Sequence, residues 1–284
     1  MFKIPRRLAT LFLAALLSAC SPLTAINLLV PKSGYTVRRG LAYGSDPRQT
    51  LDVYIPDGLK APAPMLLFFY GGSWQSGSRN DYAGFGQAFA SKGIITLVAD
   101  YRLYPQVKFP AFVEDGAQAL AFAHGHAAEW GGDGKRLFVA GHSAGAYIAV
   151  MLGSDGRYLK QAGGDYSWVR GVIGVSGPYD FLPLKDPAYV AMFHGANNRA
   201  ILPITYVDRD PARPPMLLVT GTGDTTVDPG NSARMAAALR TKGTAAETRS
   251  YQGVGHIGIL VSLLPPFRFY TPLRDDIVAF IQSH

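Results

Sequence analysis

A serine between two glycines stands where a strand-like apolar run meets a helix-like apolar run. Residues 137–152, LFVAGHSAGAYIAVML, contain Gly141-His142-Ser143-Ala144-Gly145, which fits the pattern G-x-S-x-G. A strand that turns sharply into a helix strains the backbone at the turn, and flanking glycines remove side chains that would clash there. The pattern predicts that Ser143 is an exposed nucleophile, and that N–H groups at the helix start face any oxyanion formed beside it.

A serine hydroxyl needs a base to take its proton, and that base needs an acid to orient it. His256 lies in the turn-like stretch GVGHIG after the strand-like TRSYQ, whereas the other five histidines have structural or solvated settings. Asp224 directly follows a buried-strand pattern in LLVTGTGDTTVD, and Asp228 is its competitor four residues later. The order serine, aspartate, histidine favours the triad Ser143, Asp224 and His256.

A glycine-rich stretch, Gly71-Gly72-Ser73-Trp74, follows an earlier strand-like run and offers a second oxyanion donor. We expect the backbone N–H of Gly72 or Ser73 to act with that of Ala144. The alternative is that these glycines only turn the chain. Trp74, beside this loop, and His142, inside the elbow, are predicted to contact the substrate.

Strand-like and helix-like stretches alternate along most of the chain. Apolar runs that end in glycine or aspartate occur at 64–72, 93–100, 135–141, 169–177 and 214–221, and helices are expected at 81–92 and from 110 to about 129. The alternating run TLDVYIP, 50–56, ends in proline and indicates an edge strand. This order predicts an α/β fold with a mostly parallel sheet, whose ligands bind at the carboxyl ends of the strands.

Residues 181–213 break this rhythm, because they are rich in proline, asparagine and aromatic residues. They are long for an ordinary connection. We expect a small cap segment beside the active site; the alternative is a surface excursion without substrate contact.

The first residues have the pattern of an export signal. Three cationic residues precede the apolar run 8–17, and LSAC at 17–20 matches the lipobox of bacterial lipoproteins, in which Cys20 becomes the acylated first residue. The expected divisions are a signal peptide at 1–19, a tether at 20–34 and one hydrolase domain at 35–284. We therefore expect an exported lipoprotein anchored in the membrane of a bacterial cell envelope through Cys20.

Composition excludes several other classes. The chain has 284 residues, 48% of them hydrophobic, and its formal net charge is +7. Cys20 is the only cysteine, so neither an intramolecular disulfide nor a cysteine nucleophile in the domain is available. Metal-ligand spacing and dense basic runs are missing from the sequence, so we expect no metal, no cofactor and no nucleic-acid partner. Oligomeric state is left open.

The motifs LDVYIP, YGGSWQSG, DYRLYPQVKFPAFVEDG, GHSAG, GTGDTTVD and GVGH together resemble α/β-hydrolase esterases. The similarity covers residues 35–283 and is to hormone-sensitive-lipase-like and bifunctional feruloyl and acetylxylan esterase-like groups. It implies that Gly72 and Ser73 form the oxyanion hole, and that Ser143, Asp224 and His256 form the triad of an enzyme for small or short-chain acyl esters. Tyr70 replaces the histidine of the family's HGG motif, which affects how that loop is held.

Two other functions compete with the ester hydrolase. Kynurenine-formamidase-like amide hydrolases share the glycine loop and the elbow. A non-catalytic surface-binding module is the alternative from another class, but such proteins typically lose a triad member. The DYR segment at 100–102 is expected to stabilise the core near the elbow.

Overall fold

The computed structural model describes residues 30–60, 62–209 and 212–284. Within these ranges eight strands form one sheet in the order β1-β2-β4-β3-β5-β6-β7-β8. The strands are β1 (Tyr35–Ala42), β2 (Thr50–Pro56), β3 (Ala63–Phe69), β4 (Ile95–Ala99), β5 (Gly132–His142), β6 (Gly171–Val175), β7 (Met216–Gly221) and β8 (Ala246–Tyr251). The strands from β4 to β8 in this order are parallel, whereas β2 is antiparallel to both of its neighbours.

Central strands match the apolar runs of the sequence, because every residue of β4, β6 and β7 is buried. A strand buried along its whole length has covers on both faces, so helices lie on both sides of the sheet. The helices are α1 (Ala83–Ala90), α2 (Ala111–Gly125), α3 (Ala144–Ser154), α4 (Arg157–Gln161), α5 (Pro187–Met192), α6 (Gly230–Thr241), α7 (Gly258–Val261) and α8 (Leu273–Ser283). Helix α1 packs near β2, β4 and α8, and α3 packs on β5 and β6 beside α2.

The prediction that residues 50–56 form an edge strand is wrong. β2 pairs with β4 on one side and with β1 on the other, so β1 occupies the edge. Pro56 is the last residue of its strand, a position where the missing N–H is tolerated. The sequence patterns did not indicate β1 because the exposed Arg38-Arg39-Gly40 interrupts its apolar alternation, and its register shifts between Arg38 and Leu41.

The two expected helices are each divided. Residues 79–92 contain a 3₁₀ turn, Arg79–Tyr82, followed by α1, and Gly93 at φ +77° ends the helical stretch. The second region contains α2 and then a 3₁₀ turn, Ala127–Trp130.

Residues 181–209 contain α5 and the 3₁₀ turns Arg199–Ile201 and Pro203–Tyr206. Asp186 caps α5 by accepting from Ala188 N, with Pro187 at the first helical position. The buried Tyr147 hydroxyl of α3 donates to the carbonyl of Ile201 at 2.7 Å. This segment is thereby tied to the helix that begins next to Ser143.

Candidate active site

Ser143 stands at a strained junction between β5 and α3. Its backbone has φ 54° and ψ −122°, a conformation that a residue with a side chain rarely adopts. A β-carbon on Gly141 would lie 2.1 Å from the carbonyl oxygen of Gly145, and one on Gly145 would lie 2.0 Å from the carbonyl oxygen of Phe69. Both flanking glycines are therefore required for strand, turn and helix to approach this closely.

Asp224 and His256 meet after the ends of β7 and β8. The Nδ1–H of His256 donates to Asp224 Oδ2 at 2.7 Å, and the Asp224 side chain is fully buried. The other carboxylate oxygen accepts from the N–H groups of Thr226 and Val227, each at 2.9 Å. Nδ1 is thus the protonated nitrogen, which leaves Nε2 of neutral His256 as the basic atom.

The pKa of Asp224 lies below its ordinary value despite burial. Burial alone would raise the pKa, but the hydrogen bonds from Val227 N and His256, with that from Thr226 N, lower it further than burial raises it. The competitor Asp228 lies elsewhere: its side chain is 61% exposed and its Oδ2 accepts from Arg234 at 3.0 Å. Asp224 is therefore the aspartate that binds His256, whereas Asp228 binds Arg234.

His142, predicted to contact substrate, lies in the interior beside His256. It is 2% exposed, and its ring centroid lies 4.6 Å from that of His256. Its Nε2 lies 3.0 Å from the His256 carbonyl oxygen, which can only accept, so Nε2 carries the proton. Burial, and then the neighbouring His256, lower the pKa of His142 to about 3. This geometry gives His142 a role in holding the His256 backbone, and the expectation of substrate contact is corrected accordingly.

The loop after β3 approaches Ser143 closely. A β-carbon on Gly71 would lie 2.9 Å from Ser143 Cβ. Gly72 has φ 134°, its carbonyl accepts from Gln75 N and Ser76 N, and Ser73 and Trp74 follow at φ 56° and 58°. Ser73 lines the same cavity as Ser143 and Ala144. Of the two expected loop donors, this arrangement favours the N–H of Ser73.

Tyr70, at the start of this loop, holds it in place through a network of hydrogen bonds that the sequence patterns did not predict. Its buried hydroxyl donates to Asp100 Oδ1 and accepts from Arg48 Nη2, both at 2.6 Å, and its carbonyl accepts from Tyr101 OH at 2.8 Å. Asp100 also binds Arg79, which bridges to Asp52 at 2.9 Å. The hydroxyl therefore fastens the oxyanion loop to a buried ion-pair network.

Arg102, the last residue of the DYR segment, binds Asp115 in α2. Its Nη2 lies 2.6 Å from Asp115 Oδ1, and its backbone N–H donates to Oδ2 at 2.8 Å. Gln49 donates to the same buried carboxylate at 2.8 Å. These contacts assign the segment to the support of the core.

A cavity of about 600 Å³ opens over Ser143. One wall is aromatic and apolar, with Trp74, Phe181 and Tyr189, and the other carries Asp180, Asp228 and Arg234. Trp74 is 5% exposed, and its ring packs against rings from three parts of the chain, Phe112, Tyr147, Phe181, Tyr189 and Phe193.

Asn231 in α6 is another residue that no sequence pattern singled out. Its Oδ1 accepts from the backbone N–H groups of Tyr179 and Asp180, each at 2.8 Å. Arg234, one turn later, donates to Asp180 Oδ2 at 2.8 Å and joins it to Asp228. Together they fix the charged wall of the cavity.

The described ranges were searched for clusters of metal-ligating side chains and for helices that could cross a membrane. Residues 30–60, 62–209 and 212–284 contain no group of three or more histidine, cysteine, aspartate or glutamate side chains placed to hold a metal ion. No helix in those ranges is long and apolar enough to cross a membrane. Cys20 and the expected signal peptide lie outside the described residues.

This sheet, with its strand–serine–helix elbow, is that of an α/β-hydrolase, which confirms the expected fold class. The structure resembles esterase B from Lactobacillus rhamnosis with a TM-score of 0.78 and 18% identity, over 97% of this chain and 96% of that one. The family model BD-FAE matches residues 51–239, and the chain belongs to this family.

Two relatives extend the comparison. The chain is 31% identical over 247 residues to the probable isoprenylcysteine alpha-carbonyl methylesterase ICMEL1 of Arabidopsis thaliana, which covers 79% of this chain and 52% of that protein. It is 33% identical over 212 residues to esterase LipC of Mycobacterium tuberculosis, with 67% and 52% covered. The chain thus spans about half the length of these relatives.

Proposed function

We propose that the protein is a serine carboxylic-ester hydrolase that acts through Ser143, Asp224 and His256. The observation that carries the proposal is the buried hydrogen bond from His256 Nδ1 to Asp224, at the sheet edge where the elbow presents Ser143. BD-FAE membership and the esterase names of both relatives support ester substrates.

The proposed reaction has two acyl-transfer steps. His256 Nε2 takes the Ser143 proton as Oγ attacks the acyl carbon, and it then gives that proton to the departing alcohol. Water next attacks the acyl-enzyme, again deprotonated by His256, and releases the carboxylic acid and Ser143. Asp224 keeps its charge throughout and stabilises the imidazolium that forms twice.

The oxyanion of each tetrahedral intermediate is proposed to lie between the N–H groups of Ala144 and the Gly72-Ser73 loop. Ala144 is the first residue of α3, so its N–H has no partner within that helix. Removal of one such donor costs about 3 kcal/mol of transition-state stabilisation. The mechanism requires no metal or organic cofactor.

Small or short-chain acyl esters are the proposed substrates, with Trp74 as a contact in the aromatic wall. The full chain is expected to hydrolyse short-chain p-nitrophenyl esters, and Ser143→Ala to lower kcat roughly 10⁴-fold or more. The matched control is Ser91→Ala, whose hydroxyl only binds the Ala88 carbonyl. Unchanged turnover in Ser143→Ala would rule out the mechanism. Faster hydrolysis of a formyl anilide than of any ester would assign the site to amide cleavage.

Lipidation at Cys20 is proposed as the route by which the protein reaches a bacterial envelope membrane. The support is the LSAC sequence after a short apolar run. Cys20→Ser is expected to abolish signal processing and lipid incorporation. Normal processing and fractionation of that variant would disprove the anchor.

A further inference from the structure

Three large apolar side chains are exposed close together beside the triad histidine. Phe269 is 86% exposed, Ile257 53% and Tyr270 48%, and these are the exposed large hydrophobic residues of the described ranges. A β-carbon on Gly258 would lie 3.2 Å from the ring of Tyr270, so this ring lies next to the residue that follows Ile257. We name Ile257, Phe269 and Tyr270 the apolar patch.

The apolar patch lies on the side where the described chain begins. Val30 is 6% exposed, and a β-carbon on Gly84 of α1 would lie 3.5 Å from its side chain and 2.2 Å from that of Leu264. Arg268 Nη2, in the segment between Leu264 and the patch, donates to Gln87 of α1 at 2.9 Å. Val30 and the segment that carries Phe269 therefore share one support, helix α1.

The segment from Leu264 to Tyr270 is folded into two consecutive turns, so its two ends lie close together. Phe267 N donates to Leu264 O at 2.9 Å, and Tyr270 N donates to Phe267 O at 3.0 Å. Each such turn keeps its first and fourth Cα atoms within about 7 Å, so the Cα of Tyr270 lies within roughly 14 Å of that of Leu264. The patch is thus near the point where Val30 enters the domain.

Chain length limits the distance between this point and the proposed lipid anchor. From Cys20 to Val30 an extended chain spans at most roughly 35 Å. A protein held at Cys20 therefore keeps Val30 within that distance of the bilayer, and the patch lies on the same side of the domain, about 14 Å or less beyond Leu264. Contiguous exposed apolar residues mark protein or membrane contacts, and tyrosine and phenylalanine are suited to the interfacial region.

We propose that the apolar patch is a membrane contact surface, which docks the domain onto the lipid bilayer beside its anchor. This inference rests on the proposed Cys20 anchor and is independent of the chemistry of the site. Since Ile257 directly follows His256, docking holds the residue next to His256 at the lipid surface. Esters dissolved at that surface then reach the site without crossing bulk water.

The test uses the full chain reconstituted in vesicles of phosphatidylethanolamine and phosphatidylglycerol that contain a spin-labelled lipid. Phe269→Cys carries a polarity-sensitive fluorophore, and Lys160→Cys, at an exposed position of helix α4, is the matched control. We expect a blue shift and severalfold stronger quenching at position 269 than at position 160. Hydrolysis of a water-soluble p-nitrophenyl ester is measured in the same samples, so that loss of esterase activity is scored separately.

Equal quenching at the two positions would overturn the proposal, as would failure of the protein to float with the vesicles. The same measurement is made in detergent without vesicles. If the blue shift at position 269 then rises with protein concentration, the patch is a contact between two copies of the protein and the proposal is overturned. Phe269→Ser provides an unlabelled check: it is expected to lower turnover of a membrane-dissolved ester severalfold while turnover of the water-soluble ester stays unchanged.

Discussion

At the residue scale, the position of one carboxylate decides which aspartate binds His256. Asp224 is buried and binds Nδ1 of His256, whereas Asp228 is exposed and binds Arg234. Both follow the same strand, and the sequence favoured Asp224 because it comes directly after that strand, with Asp228 as its competitor. The contacts of their side chains separate the two.

Asp224→Asn is expected to lower kcat on a p-nitrophenyl ester about 10⁴-fold, because an amide donor at this place favours the wrong tautomer of His256. The control is Asp228→Asn, which should stay within a few-fold of the parent. Steady-state kinetics on both variants measure this. Equal losses, or a larger loss in Asp228→Asn, would reassign the acid.

The buried His142 is expected to lower the stability of the protein in acid. Because burial lowers the pKa of His142 to about 3, the unfolded chain takes up a proton between pH 6.5 and about 3 that the native protein does not. His142 therefore makes stability fall as pH falls through this window, by up to about 1.4 kcal/mol per pH unit.

His142→Gln keeps a donor for the His256 carbonyl but does not titrate, so its unfolding free energy should fall less steeply with decreasing pH. Urea unfolding across the same pH window measures the slope. His194→Gln, which makes the same replacement at an exposed position, is the matched control. A slope that matches the parent would show that folding does not change the pKa of His142.

At the element scale, the oxyanion loop depends on an anchor beneath it. Three consecutive residues, Gly72, Ser73 and Trp74, have positive φ, and Tyr70 fastens the start of this loop to Asp100 and Arg48. The tyrosine hydroxyl thus takes part in holding a strained backbone in place.

Tyr70→Phe is expected to lower the unfolding free energy by about 1–3 kcal/mol, since Asp100 and Arg48 each lose a buried partner. It should also lower kcat, because the loop donors are then less well positioned. Tyr251→Phe is the matched control, as its hydroxyl donates to Asp276 at 2.6 Å. It should lose stability without losing kcat. A Tyr70→Phe variant with full kcat would show that the loop does not depend on this network for its position.

Sequence patterns predicted the central strands, the elbow and the proximity of Asp224 to His256, because parallel strands bring their carboxyl ends to one edge of the sheet. They did not predict β1, because Arg38-Arg39-Gly40 interrupts its apolar alternation and its only strand partner is β2. Nor did they predict the Tyr70, Asn231 and Arg234 contacts, which join residues tens of positions apart. The role of His142 was mistaken because burial at that turn has no sequence signal.

At the scale of the whole molecule, the cavity is assembled from distant parts of the chain. Trp74 follows β3, Phe181 follows β6, and Asp228 follows β7. Its size and wall chemistry therefore depend on how the 181–209 segment lies against α3, which the Tyr147–Ile201 hydrogen bond helps to set.

Phe181→Ala is expected to raise kcat/KM for longer acyl chains relative to acetyl severalfold, because it removes a ring from the aromatic wall beside Trp74. Competition between p-nitrophenyl acetate and longer esters measures the ratio. Phe269→Ala, outside the cavity, should leave the ratio unchanged. An unaltered ratio in Phe181→Ala would place the acyl chain against another wall.

The two outermost strands, β1 and β8, affect how separate copies of the protein behave when they are crowded together. β1 exposes Arg38 and Arg39 around its register shift, and β8 exposes Glu247 and Arg249. Charged side chains and irregular pairing keep the free edges of a sheet from joining those of a neighbour. Copies of the protein at high local density can therefore meet edge to edge without seeding intermolecular β-structure.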